Sequence, residues 1–95
     1  MEFKHIDKGE NGVVLALEDD VQHGDISYFG NGNNQITIDH TGVESFARGR
    51  GIAKALLKEV VNIARDKQWK IVPQCPFAQA EFDKNASYAD VLAPS

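Results

Sequence analysis

Between Gln35 and Thr41 polar and apolar side chains alternate. Ile36, Ile38 and His40 fall on one face, Gln35, Thr37, Asp39 and Thr41 on the other. A two-residue period of this kind predicts a half-buried strand. Val13 to Leu17 is a compact apolar run of strand formers that ends at Glu18-Asp19-Asp20, and Phe3 to Ile6 and Asp25 to Phe29 read as shorter strands. Glu10-Asn11-Gly12 reads as a turn, and the run Gly30-Asn31-Gly32-Asn33-Asn34 favours positive φ and predicts a hairpin loop. The chain up to Gly42 therefore predicts an antiparallel meander.

The period changes at Gly51. Ile52, Leu56, Val60 and Ile63 recur at helical spacing, with Ala53 and Ala64 beside them, while Lys54, Lys58, Asn62 and Arg65 lie on another side. This predicts a long amphipathic helix over Gly51 to Asp66. Trp69 to Val72 is a short apolar strand stopped by Pro73. Pro76 suits the first turn of a second helix, where its missing N–H is not needed, and Phe77, Ala78, Ala80 and Phe82 carry that helix to Lys84. Asn85 to Leu92 reads as a tail that packs back through Tyr88, Val91 and Leu92. Strands, long helix, strand and short helix in that order define an α/β domain with a mixed, mostly antiparallel sheet.

The junction of strand and long helix carries the chemistry. The first N–H groups of a helix have no internal partner, and its N-terminus bears a partial positive charge. Gly49 and Gly51 let the backbone curl round an anion without a Cβ in the way, and Arg48 and Arg50 add cations at the mouth. Arg48 to Ala53 thus predicts a phosphate or pyrophosphate cradle. Other nucleotide motifs fit badly. A P-loop needs four residues between its glycines and then Lys-Ser/Thr, whereas Gly49 and Gly51 are close together and Lys54 precedes Ala55. A dinucleotide fingerprint needs Gly or Ala where Lys54 stands. The plain alternative is a glycine turn that only starts a helix.

Composition narrows the surroundings of this cradle. The 95 residues imply one domain spanning residues 1–95, and 42% apolar with 25% charged residues is ordinary for a globular chain. A net charge of -4 argues against general binding of nucleic acid or anionic membrane, so an anion site must be local. The single cysteine, Cys75, forms no internal disulfide and fits a reducing, cytoplasmic setting. No signal core and no apolar run of membrane-spanning length is present. His5 and His23 show no ligand spacing with each other or with Cys75, so no metal site is expected. Glu18-Asp19-Asp20 reads as a solvated turn, and Trp69 as core cover.

Val43, then Arg48-Gly49-Arg50-Gly51-Ile52-Ala53 and an amphipathic helix, resembles the acetyl-coenzyme A motif of the GCN5-related N-acetyltransferases (GNAT), and in particular their small single-domain branch. The stretches Ile38 to Val43, Lys70 to Phe77 and Ser87 to Val91 carry the likeness further, over most of the chain, from about Asp25 to Leu92. The resemblance implies a GNAT-like fold and acetyl-CoA as cofactor. It implies that the backbone of Arg48, Gly49, Arg50, Gly51, Ile52 and Ala53 holds the pyrophosphate and that the strand ending at Val43 pairs with the pantetheine arm. Lys54 is placed to meet the 3′-phosphate.

Acetyl transfer from a thioester needs a neutral nucleophile and a proton for the departing thiolate. Cys75, between a strand and a Pro-started helix, is a candidate acyl acceptor, a role the resemblance also implies; the alternative is a buried, inert thiol. His40, at the end of the alternating strand, is a candidate base or orienting group near Cys75, or else a satisfied histidine of the sheet. Tyr88 is a candidate acid by resemblance, or a core tyrosine. Two functions follow. One is an acetyltransferase moving acetyl from acetyl-CoA to an amine or thiol acceptor, with Cys75, His40 and Tyr88 as its catalytic set. The other is a CoA-binding module without efficient catalysis, and a fold whose glycine turn binds nothing stands behind both. A monomer or weak dimer with a small-molecule cofactor and no nucleic-acid or membrane partner is expected.

Overall fold

The computed structural model describes residues 1–94. Five strands form one sheet in the order β1-β2-β3-β4-β5. Strands β1 (Glu2–Lys8), β2 (Asn11–Glu18), β3 (Val21–Gly30) and β4 (Gln35–Val43) make the antiparallel meander, and β5 (Lys70–Pro73) adds to β4 in parallel. The parallel step is bridged by helix α1 (Ile52–Lys67), and α2 (Pro76–Lys84) follows β5. A 3-10 turn at Ser45–Ala47 precedes the glycine turn, and a 3-10 segment at Ala86–Val91 occupies the expected tail.

The turns obey their residues. Asp19 and Asp20 both take positive φ (53° and 64°), as a two-residue hairpin requires, and Gly32, Asn33 and Asn34 do the same between β3 and β4. The first hairpin turns one position earlier than the Glu10-Asn11-Gly12 reading, at Gly9, so Asn11 and Gly12 belong to β2. Strand β3 begins at Val21, four residues before the predicted Asp25, because Gln22 and Gly24 pair with β2 although their side chains carry no strand signal.

Helix α1 buries Ile52, Leu56, Leu57, Val60, Val61 and Ala64 against one face of the sheet, where Val14, Ala16, Ile26, Tyr28, Ile36, Ile38 and Ile71 meet them. Each fully buried aliphatic side chain there contributes about 1.5–3 kcal/mol. Ala78 and Phe82 of α2 and Val91 of the last turn close the same core. Arg65 grips that last turn, with Nε 2.8 Å from the Asp90 carboxylate and one N–H donated to the Ser87 carbonyl. The opposite face of the sheet has no helix on it. No helix among the described residues is long and apolar enough to cross a membrane.

Candidate functional site

The site lies where β4 and β5 part. Their pairing ends at Ile38 opposite Pro73, and the Ile38 carbonyl then accepts from both Gln74 N and Cys75 N at 3.2 Å. Pro73 and the turn to Pro76 swing the chain away into α2. Strand β4 runs on through Asp39 to Val43 with β3 on one side and no strand on the other. That open edge offers backbone amides to an extended ligand.

At the end of the edge sits the glycine turn. Gly49 (φ 83°) and Gly51 (φ 75°) are both left-handed, and a Cβ built on either meets nothing within 4 Å. Gly51 is the N-cap of α1 and no side chain caps the helix; its first turn holds no acidic residue. Helix N-termini ordinarily recruit a Ser, Thr, Asp or Asn cap or an acidic first turn. Here Lys54 stands in that turn instead, and the N–H groups of the first turn are left for something else. They open on a groove of about 300 Å³ lined by Val43, Ala47, Arg48, Gly49, Gly51 to Lys54, and Phe77 of α2. Of the residues predicted to hold the cofactor, seven line this groove: Val43, Arg48, Gly49, Gly51, Ile52, Ala53 and Lys54. Phe77, an apolar wall, is a lining residue that the sequence did not single out.

Arg50 is the exception. Its guanidinium turns away from the groove and lies 3.1 Å from Glu18 Oε2, in the β2–β3 hairpin. The same carboxylate oxygen is 3.4 Å from His23 Nε2, and the His23 ring packs edge-on against Phe46 at 5.0 Å. Hydrogen bonding and then charge from Arg50 hold the Glu18 carboxyl below its usual range. Glu18, read as part of a solvated turn, therefore pairs with the glycine loop, and the Arg50 side chain lies against it rather than in the groove. Arg48 makes no ion pair among the described residues.

The second correction concerns His40. The alternation of β4 places it beside Ile36 and Ile38, but β4 carries one extra residue, Asp39, between the pairs Ile38–Tyr28 and His40–Ser27. A bulge of one residue flips every side chain beyond it. His40 consequently leaves the helix face and lies on the open face, with its side chain 60% exposed and Nε2 3.6 Å from Asp25 Oδ1. Thr41 takes its place on the helix side, opposite the core residue Ile26, and Thr41 Oγ1 lies 3.5 Å from Cys75 Sγ. The side chain that reaches Cys75 is thus Thr41, not His40.

Cys75 is a half-buried free thiol at the N-cap of α2, beside Pro76. Tyr88 is not brought to it. The tyrosine ring packs on Phe82 at 5.5 Å, in the last turn of α2, and so at the far end of that helix from Cys75. Its place is against the core, away from the position beside Cys75 that a catalytic acid needs. A larger groove of about 470 Å³ lies at the C-terminal end of α1, but its charged groups, Arg65, Lys70 and Asp90, are spent on binding one another.

The profile of the GCN5-related N-acetyl-transferase family matches residues 13–91, and the chain belongs to that family of acyltransferases. Among solved structures, a GCN5-like N-acetyltransferase candidate from Staphylococcus aureus is 35% identical with a TM-score of 0.71, over 97% of this chain and 89% of that one. The ribosomal-protein-alanine N-acetyltransferase of Brucella melitensis biovar Abortus is 24% identical (TM-score 0.63), over 90% of this chain and 64% of its own. A GNAT-family acetyltransferase from Elizabethkingia anophelis, solved with acetyl-CoA bound, is 20% identical (TM-score 0.62), over 79% and 52%. These two share the fold, and this chain spans only part of their length. No match emerges among curated proteins.

Proposed function

We infer that the chain binds acetyl-CoA and moves its acetyl group to an amine or thiol acceptor. The observation that carries this reading is the uncapped N-terminus of α1, entered through two left-handed glycines and opening on the groove beside the free edge of β4. Backbone N–H groups and the positive end of α1 suit a pyrophosphate, and Arg48 and Lys54 add charge at its margin. The amides of Asp39 to Val43 suit the pantetheine arm, and Phe77 supplies an apolar wall. Bound there, acetyl-CoA supplies an activated acyl thioester. Thr41 holds the thiol of Cys75 at the parting of β4 and β5, where Cys75 either takes the acyl group or lines its pocket.

A second reading keeps the cofactor and drops efficient turnover. It draws on Tyr88, whose packing on Phe82 leaves no tyrosine acid beside Cys75. Titrating CoA against the amide NMR spectrum tests both readings at once. Gly49, Gly51 and Ile52 are expected to shift, and no shift at millimolar ligand would end them. Labelled acetyl-CoA then separates the two: an acetyltransferase transfers label to Cys75 or to an acceptor, and a module transfers it to neither.

A further inference from the structure

Strand β1 is one edge of the sheet, and β4 and β5 lie at the other side. The hairpin from β1 to β2 turns through Gly9 and Glu10 and closes on the pair Lys8–Asn11. A closing pair across so short a turn exchanges its backbone hydrogen bonds. The pairing then runs without a shift to Glu2–Leu17, and hydrogen-bonded positions alternate along it. Glu2, Lys4, Ile6 and Lys8 therefore spend their N–H and C=O groups on β2, while those of Phe3, His5 and Asp7 point outward. No backbone group outside the ladder bonds them among the described residues. Helix α1 lies over β2, β3 and β4, which leaves the edge of β1 clear. Phe3 packs against the core and His5 Nε2 lies 2.6 Å from Tyr28 Oη, so odd positions face the helices. Even positions face the open side of the sheet, where Glu2, Lys4 and Lys8 are exposed.

We propose that β1 pairs antiparallel with β1 of a second copy of this chain, about a two-fold axis at His5, joining two five-stranded sheets into one. An axis perpendicular to the sheet keeps like faces together, so each position meets one of the same parity. Charge then selects the register. Centred on Lys4, the two Lys4 side chains face each other, and centred on Ile6, Lys4 faces Lys8. Centred on His5, Phe3 pairs with Asp7 and His5 with its own copy, so every outward N–H and C=O of Phe3, His5 and Asp7 finds a partner. Glu2 of each copy faces Lys8 of the other, and Lys4 lays its stem over Ile6. Lysines on an edge ordinarily guard it against pairing, but in this register neither lysine meets a like charge. The interface is isologous and uses up the β1 edge of both copies, so it closes as a dimer. The groove at the start of α1 borders β4, across the sheet from this interface, and stays open in both copies. The proposal thus goes beyond the acetyltransferase reading and does not depend on it.

Sedimentation equilibrium and NMR translational diffusion, run from micromolar to millimolar chain, test it. A monomer–dimer equilibrium is expected, and a monomer throughout the range overturns the proposal. Glu2 and Lys8 are exposed and make no ion pair among the described residues, so reversing either charge leaves the protomer folded. Glu2→Lys and Lys8→Glu each set like charges opposite one another twice, and each is expected to raise the dimer Kd about fivefold or more. The double variant restores both pairs and is expected to return the Kd toward that of the parent. A dimer indifferent to the single reversals, or one that the double variant fails to restore, overturns the register. Amide hydrogen exchange reads the edge itself. The N–H groups of Phe3, His5 and Asp7 are expected to exchange fast in dilute protein and to become protected as the dimer forms. A dimer that leaves them unprotected is built on another surface and overturns the proposal.

Discussion

Gly51 and Gly32 form a matched pair for testing the cradle. Both are left-handed, at φ 75° and 81°, and a Cβ on either meets no protein atom within 4 Å. Gly51 lines the groove at the start of α1, whereas Gly32 lies in the β3–β4 hairpin at the other end of β4. Replacing either by alanine forces a Cβ into left-handed backbone, which costs about 1–2 kcal/mol. For a domain of this size that lowers Tm by about 4–8 °C per kcal/mol. Domains of this kind carry about 5–15 kcal/mol of stability, so both variants stay folded. Ligand binding separates them. In the proposed binding mode the new methyl at Gly51 occupies space that the pyrophosphate needs, and losing one hydrogen bond from backbone N–H to a charged oxygen costs about 1.5–3 kcal/mol, or about 10- to 150-fold in affinity. Calorimetric titration with CoA alongside thermal melts reads both quantities. The expected result is similar Tm losses, with weakened CoA binding for Gly51→Ala only. A folded Gly51→Ala protein that binds CoA within about twofold of the parent refutes the cradle. An equal loss for Gly32→Ala shows that strain, not the missing space, was responsible.

Glu18→Gln and Arg50→Gln should each weaken CoA binding, and the double variant should lose no more than the worse single, because both act through one contact that holds the loop. If Arg50 instead binds phosphate directly, isothermal titration will show a loss for Arg50→Gln and none for Glu18→Gln. At the other end of α1, hydrogen bonding from Arg65 holds the Asp90 carboxyl below its usual range. The folded value lies below the unfolded one, so the clasp stabilises above the ordinary aspartate range and fades as pH falls through the folded value. The Tm gap between the parent and Asp90→Asn should be open near neutral pH and closed in strong acid. A gap that persists in acid would assign the effect to something other than this ion pair.

Much of the fold was legible because its signals are local. The period of Ile52, Leu56, Val60 and Ile63 located α1 to within a residue, and the Asp- and Asn-rich turns located the hairpins. Pro76 marked the start of α2. The glycine turn was legible for the same reason, since positive φ at Gly49 and Gly51 is a property of glycine itself. Gln22 to Gly24 was not legible, because those residues are held in β3 by their partners on β2 and β4 rather than by any preference of their own.

What the sequence determined by itself was the order of elements and the place of the glycine turn, both set by residues within a few positions of one another. What only the tertiary structure decided was which side chains share a site. One inserted residue, Asp39, reverses the facing of His40 and Thr41, and a bulge shows itself only in the register between β3 and β4. Arg50 is claimed by Glu18, 32 residues away, and Cys75 by Thr41, 34 residues away. Periodicity reports which face a residue takes while the ladder is regular. It carries no record of the insertion that ends the regularity, nor of the partner that the folded chain brings near.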